Sequence, residues 1–171
     1  MGTGELVMIK KDLFSTISLE KLEYFDFCAL ANKVVTPSYV SFESALIHYG
    51  VVFPFNDRIS VAYPLSKRVK LDILGRPSLV IRAEALPTEV LANPLGITQI
   101  DGIFIASRER AVADILHRSP EYWFDSPESI DLELLETMTC VYTPVSETTP
   151  GVIRDFIAKM QMLRSAAATQ K

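Results

Sequence analysis

The spacing of apolar positions divides the chain into a helical opening, a strand-rich middle and a helical close. Residues 6–17, LVMIKKDLFSTI, set β-branched and aromatic side chains around a central Lys-Lys-Asp, which reads as two short strands joined at Lys11-Asp12 or as a single strand. From Leu19 to about Val35 a helical period passes through Leu19, Leu22, Tyr24 or Phe25, and Cys28 or Ala29, with Glu20, Lys21, Glu23 and Lys33 outside and Ser18 placed to cap it. Pro37 lacks the N–H that a helix interior uses, so the helix ends there and TPSYVS follows as an extended link. Ser41 then opens a second helix, FESALIHY, closed by Gly50, which takes a left-handed cap at little strain.

Beyond Gly50 the period changes to two. VVFPF contains a proline and reads as an edge or a loop, whereas RISVAYPL, KRVKLDIL and SLVIRAEAL are rich in Val, Ile and Leu and are separated by Pro64-Leu65-Ser66 and Gly75-Arg76-Pro77. Within KRVKLDIL, Lys67, Val69, Leu71 and Ile73 share one face, while Arg68, Lys70, Asp72 and Leu74 share the other, which makes the solvent face positive. A short strand, GIFIA at 102–106, leads to Ser107, which caps the helix RERAVADILHR with Ala111, Val112, Ile115 and Leu116 as its buried stripe. Asp125-Ser126-Pro127-Glu128 marks another helix start, with proline and acids in the first turn, and Ile130, Leu134, Leu135, Met138 and Val141 continue it as an apolar stripe. Pro144 and Pro150 bracket a loop before a last helix, VIRDFIAKMQMLRSAAA.

These elements predict an α+β fold: two N-terminal helices, an antiparallel β-meander, and C-terminal helices packed on one face. Residues 1–18 form an N-terminal strand segment, 19–166 a single domain, and 167–171 a disordered tail. Leu46, Val61, Ile73, Ile81, Ile105, Ala111 and Ile115 are expected to share the core.

Composition is ordinary for a globular domain, with 49% hydrophobic and 22% charged residues in 171. No apolar window is long enough for a membrane span, and Glu5, Lys10 and Lys11 interrupt any apolar core of a signal peptide, so the expected location is the cytoplasm. Charge changes the picture more. The net −4 hides a segment, Arg58 to Arg82, with six basic residues against Asp72, and another, Glu121 to Glu136, with six acids and no base. The basic segment supplies candidate non-specific nucleic-acid contacts at Arg58, Lys67, Arg68, Lys70 and Arg76. The acidic one, beside the run Tyr122-Trp123-Phe124, supplies a candidate partner surface at Tyr122, Trp123, Phe124, Asp131 and Glu133.

Several chemistries lack their motifs. Glycines stand only at 2, 4, 50, 75, 96, 102 and 151, so there is no Gly-rich phosphate loop, and His48, His117, Cys28 and Cys140 have no zinc spacing. No cofactor or metal is expected. Both cysteines sit among apolar neighbours and read as buried free thiols. His48 reads as a packed or capping residue, and Ser41 and Ser44 near it have no orienting acid for a triad. Arg110 and Asp114 are four apart on one helix and read as a structural pair. Glu128 and Asp131 offer a weak cation pair, against the simpler reading of a solvated helix face.

SYVSFESALIHYGVV, RISVAYPLSKRVKL and GIFIASRERAVADIL, in that order, resemble the AbiEi-type antitoxins of type IV toxin–antitoxin systems, in the domain that follows their winged helix. The likeness spans about residues 6–118 and is clearest at 38–51 and 106–116, where Ser41, Ser44, Glu109, Arg110 and Asp114 carry the motif, with LVMIKKDLFSTI similar to the end of the wing. It implies a non-catalytic antitoxin that opposes a nucleotidyltransferase-like toxin, with operon repression in complete members and weak DNA contact by this chain. A second reading is a small enzyme, a carboxylate-dependent hydrolase or nucleotidyltransferase. A third is an interaction module without a toxin.

Overall fold

The computed structural model describes residues 7–10, 13–15, 22–53, 58–72 and 78–169. Strands β1 (Val7–Lys10) and β2 (Leu13–Ser15) pair antiparallel, the first of the two readings that the opening pattern leaves open. Helix α1 (Tyr24–Val34) starts later than expected. Its cap is Glu23, in a reciprocal box with Asp26 whose carboxylate accepts from the Glu23 N–H at 2.8 Å, while Ser18 lies outside the described residues.

Tyr39 and Val40 do not form a link but a strand, β3 (Tyr39–Val40), at the centre of the sheet, where Val40 pairs with Val61 on one side and Ile105 on the other. A β-branched residue flanked by a tyrosine suits a fully enclosed strand, and both are buried. Helix α2 (Phe42–His48) follows and ends at Gly50, whose φ of +69° is left-handed. Three strands come next: β4 (Arg58–Tyr63), β5 (Lys67–Leu71) and β6 (Leu79–Ala85).

The α+β class stands, but the sheet is mixed rather than a meander. With β7 (Ile97–Ile100) and β8 (Ile103–Ala106), its order is β5-β6-β4-β3-β8-β7, with β4 parallel to β6 and β3 parallel to β8. The apolar β6 takes the interior place between β4 and β5, burying Leu79, Ile81 and Ala83, and the charged KRVKL run is left at the edge. There its cations remain hydrated and discourage pairing with another chain. Sequence reading missed helix α3 (Thr88–Ala92) and strand β7.

Helix α4 (Arg108–Arg118) is capped by Ser107, which accepts from the Arg110 N–H, and everything from Glu109 to Leu116 is buried. The single helix expected from Glu128 is broken into a 3-10 turn (Pro127–Ser129), α5 (Leu132–Thr137) and α6 (Thr139–Tyr142). Ile130, Leu135, Met138 and Val141 are buried, but Leu134 is exposed, because Asp131 caps α5 afresh through the N–H groups of Glu133 and Leu134 and resets the stripe. Helix α7 (Thr149–Thr169) runs on through the residues expected as a disordered tail up to Thr169. Helix α1 packs on β3, β4 and β8, α2 on β4 and α4, and α7 on α4, α5 and α6. Leu46, Val61, Ile81, Ile105, Ala111 and Ile115 share the core; Ile73 lies outside the described residues. Cys28 is buried as expected, whereas Cys140 is exposed, on the outer side of α6.

Candidate functional site

The residues that carried the family likeness fold into a buried polar lock. Arg110 uses every donor it has: Nε to Asp114 at 3.1 Å, Nη1 to the carbonyls of Asn93 and Leu95, and Nη2 to the Tyr39 hydroxyl and the Val90 carbonyl. Asp114 also accepts from Tyr142, from Tyr39 at 3.2 Å and from Ser41 at 2.5 Å. Both charged side chains are fully buried. Burial alone would lower the Arg110 pKa, but Asp114 and the two tyrosines outweigh it and the guanidinium is held charged. Burial, then Asp114, pushes the Tyr39 and Tyr142 phenols far up. Gly96, with φ of +73°, lies so close that a Cβ there would sit 2.7 Å from the Arg110 Cβ, so only glycine lets the loop close over the arginine. Ser44 accepts from the Ser60 N–H at 2.7 Å, and Glu109 from the Asp131 N–H at 3.2 Å. All five residues hold elements together, and of them Ser44 also lines a cavity.

The basic segment forms a cleft instead. In the β5–β6 ladder Arg68 is the Cα partner of Arg82, so two guanidinium stems stand side by side on one face, an arrangement that is unfavourable without an anion nearby. Arg82 is in turn the partner of Ser60 on β4, and Arg58 precedes Ser60 by two, which brings all three arginines to one face. They line a cavity of about 440 Å3 with Ser66, Lys67 and Glu84. Arg58 and Arg82 also line an adjoining cavity of about 260 Å3, closed by Ile47, Val52, Phe53 and Tyr122 with Glu43 and Ser44. Burial, and then Glu43, raises the Tyr122 phenol.

The cations of this face differ in how well they are matched. Lys70 lies 3.5 Å from Asp72, and Lys67 stacks 4.1 Å over the Tyr63 ring. Arg82 Nε is 3.2 Å from Glu84 Oε1, and Arg118 reaches the same oxygen at 3.1 Å and Glu43 at 2.8 Å. The Glu84 oxygen is buried at ion-pair distance yet accepts no hydrogen bond. Arg58 and Arg68 have no acidic partner among the described residues. Of the five predicted nucleic-acid contacts, Arg58, Lys67 and Arg68 thus line one cavity, Lys70 lies on the Arg68 face beyond it, and Arg76 lies outside the described residues. Arg82, Glu84 and Phe53 were not foreseen as site residues. Only the strand register, which sequence did not give, joins Arg82 to Arg68.

The predicted partner surface is split. Phe124 is buried against Tyr122 and Phe156, Tyr122 is half-buried, and Trp123 alone of the trio is open, at 78%. Asp131 is used as the cap of α5, and Glu133 points from its first turn. Among the described residues no three of His, Cys, Asp and Glu gather to hold a metal, Glu128 and Asp131 included. No helix among them is long and apolar enough to cross a membrane.

No family model matches the chain, and no curated protein matches it. Among solved structures it aligns with a candidate nucleotidyltransferase from H. pylori at 10% identity, covering 91% of this chain and 99% of that one with a TM-score of 0.42. It also aligns with the antibiotic-resistance factor ANT(2'')-Ia at 13% identity, covering 86% and 96% with a TM-score of 0.35. Scores this low add no argument about activity. No family model matches, and the two neighbours are named as a nucleotidyltransferase and an antibiotic-resistance factor, not as antitoxins, so the antitoxin resemblance is corrected, together with the regulatory role and the non-enzymatic reading it brought.

Proposed function

We propose that the chain binds a nucleotide in the cleft, with the phosphates on Arg58, Arg68 and Arg82 and the base against Phe53 and Tyr122, as the donor site of a small nucleotidyl-transferring enzyme. The observation that carries this reading is the cross-strand Arg68–Arg82 pair, joined by Arg58 and facing a cavity. Arginine forks match phosphate oxygens two at a time, and like charges so placed gain most from an anion between them. The adjoining pocket, with Ile47, Val52, Phe53 and Tyr122 on its walls, suits a flat ring. Glu43 and Glu84, the acids of the cleft, are both engaged by Arg118. Such ligands are met in the cytoplasm, where we place the protein.

Calorimetric titration with the four nucleoside triphosphates, inorganic tripolyphosphate and a nucleoside tests the proposal. Arg58→Ala and Arg68→Ala should each weaken triphosphate binding by roughly tenfold or more, and Phe53→Ala should weaken nucleotides but not tripolyphosphate. Release of pyrophosphate reads turnover separately. Absence of triphosphate binding at millimolar concentration, or binding unchanged in the double arginine variant, overturns it. A second reading, weak nucleic-acid contact along the strand, is favoured by Lys70 continuing the Arg68 face beyond the cavity. It predicts binding of a DNA duplex that is steeply salt-dependent and indifferent to Phe53→Ala.

A further inference from the structure

The outer face of α7 carries apolar surface and charge in a pattern that complements itself. Val152, Phe156, Lys159 and Leu163 follow one another at helical spacing and, with Trp123 across from them, line a cavity of about 530 Å3. Trp123 is 78% exposed and Leu163 54%, which places two of the large apolar side chains left in water on one groove, and Met162, 73% exposed, follows on the same helix. Asp155 and Lys159 line the same groove four residues apart, yet neither forms an ion pair or a hydrogen bond among the described residues. Cation and anion are thus held open on the rim of an apolar seam.

We propose that this face is covered by the same face of a second copy of the chain, related by a twofold axis that sets the two α7 helices antiparallel. Facing positions in such a pair have a constant sum of residue numbers, so the register that brings Asp155 to the partner's Lys159 brings Lys159 to the partner's Asp155 at the same time. That register also lays Val152 beside the partner's Met162 and Leu163. A register centred on Lys159 would oppose two ammonium groups and is disfavoured, so charge fixes the alignment and apolar contact supplies the affinity. A lone helix pair is smaller than a stable interface requires, and Pro120, Trp123 and Pro127, on the other wall of the groove, extend the proposed contact beyond α7.

Sedimentation equilibrium of the full chain over a range of concentrations tests this. The wild type should dimerise, Asp155→Lys and Lys159→Asp should each raise the dissociation constant by roughly tenfold or more, and the double exchange should recover most of that loss. Leu163→Glu should abolish the dimer. All three positions altered are on the open side of the helix, and unchanged melting curves by circular dichroism at concentrations where the chain is monomeric confirm that folding is untouched. A monomer at every concentration up to about millimolar overturns the proposal, as does a dimer indifferent to these changes. A double exchange as weak as the single ones overturns it too, since the two charges would then not face each other.

Discussion

Replacing Asp114 by asparagine keeps the shape of the side chain and removes its charge, which isolates what the buried lock contributes. In the native fold the carboxylate accepts from Arg110 Nε, Tyr142, Tyr39 and Ser41, while an amide offers one acceptor and turns two N–H donors toward groups that are themselves donors. Arg110 would remain buried with no counter-charge, and breaking a buried pair from one side costs about 3–5 kcal/mol. Individual hydrogen bonds to a charged group are worth about 1.5–3 kcal/mol, but they act as one network here and are not added to that figure. Against a total stability of about 5–15 kcal/mol the loss is large, and it corresponds to a melting point lowered by roughly 6–20 °C. Urea denaturation, with the slope checked for constancy, measures it. Arg110→Met should cost at least as much, because it also strands the carbonyls of Val90, Asn93 and Leu95 that hold the α3–β7 loop against α4. The double variant should recover only the part due to the pair, a coupling of about 1–3 kcal/mol. An unchanged urea midpoint in Asp114→Asn, or a coupling below about 0.5 kcal/mol, would refute the reasoning.

Other expectations follow from single sites. Burial pushes the Cys28 thiol up to about 12 while Cys140 is exposed, so a thiol reagent at neutral pH should label one cysteine in the native chain and two after denaturation; fast labelling of both would contradict the packing of α1. Burial, opposed by Asp114, lowers the His117 pKa below 6.5, and a group whose folded pKa is depressed in this way binds its proton more readily when unfolded, so stability should fall as pH drops from about 7 through 6.5. His117→Gln should flatten that fall in melting experiments, and an equal fall in the variant would assign it to other groups. Ile115→Ala, in the fully buried middle of α4, should cost about 2–5 kcal/mol by opening a cavity, and a change below about 1 kcal/mol would mean that the helix is not held where the fold places it.

The sequence was most legible where one local rule decides the outcome. Ser107 as the cap of α4, the buried stripe of Ala111, Val112, Ile115 and Leu116, and the Arg110–Asp114 pair all lie within one helix and could be read from spacing. Strand β7 was missed because ITQI is short and half polar, yet a signal was present. Asp101 and Gly102 both take positive φ in the two-residue turn between β7 and β8, and Asp-Gly between apolar runs is the strongest short-range mark of a hairpin. The break after Glu128 was less accessible, since proline and acids announce a helix start equally well whether the helix lasts one turn or three.

What no local rule supplies is which strand lies next to which. Alternation along KRVKLDIL placed Arg68 and Lys70 on the solvent face correctly, but a meander would have put β5 beside β4, where Arg68 meets no arginine. The observed order instead sets β6 between them. That choice follows from burial, because Leu79, Ile81 and Ala83 need cover on both sides of their strand and KRVKL does not. The consequence for chemistry is specific. Inserting β6 carries Arg82 into register with Arg68 on one side and Ser60 on the other, and so assembles three arginines that are 24 residues apart at their extremes in the chain. An edge strand guarded by lysine alone would have resisted aggregation equally well. Arginine at Arg58, Arg68 and Arg82, of which the first and second meet no acid among the described residues, exceeds what protection of the edge requires, and this excess is what the proposed phosphate contacts would draw on.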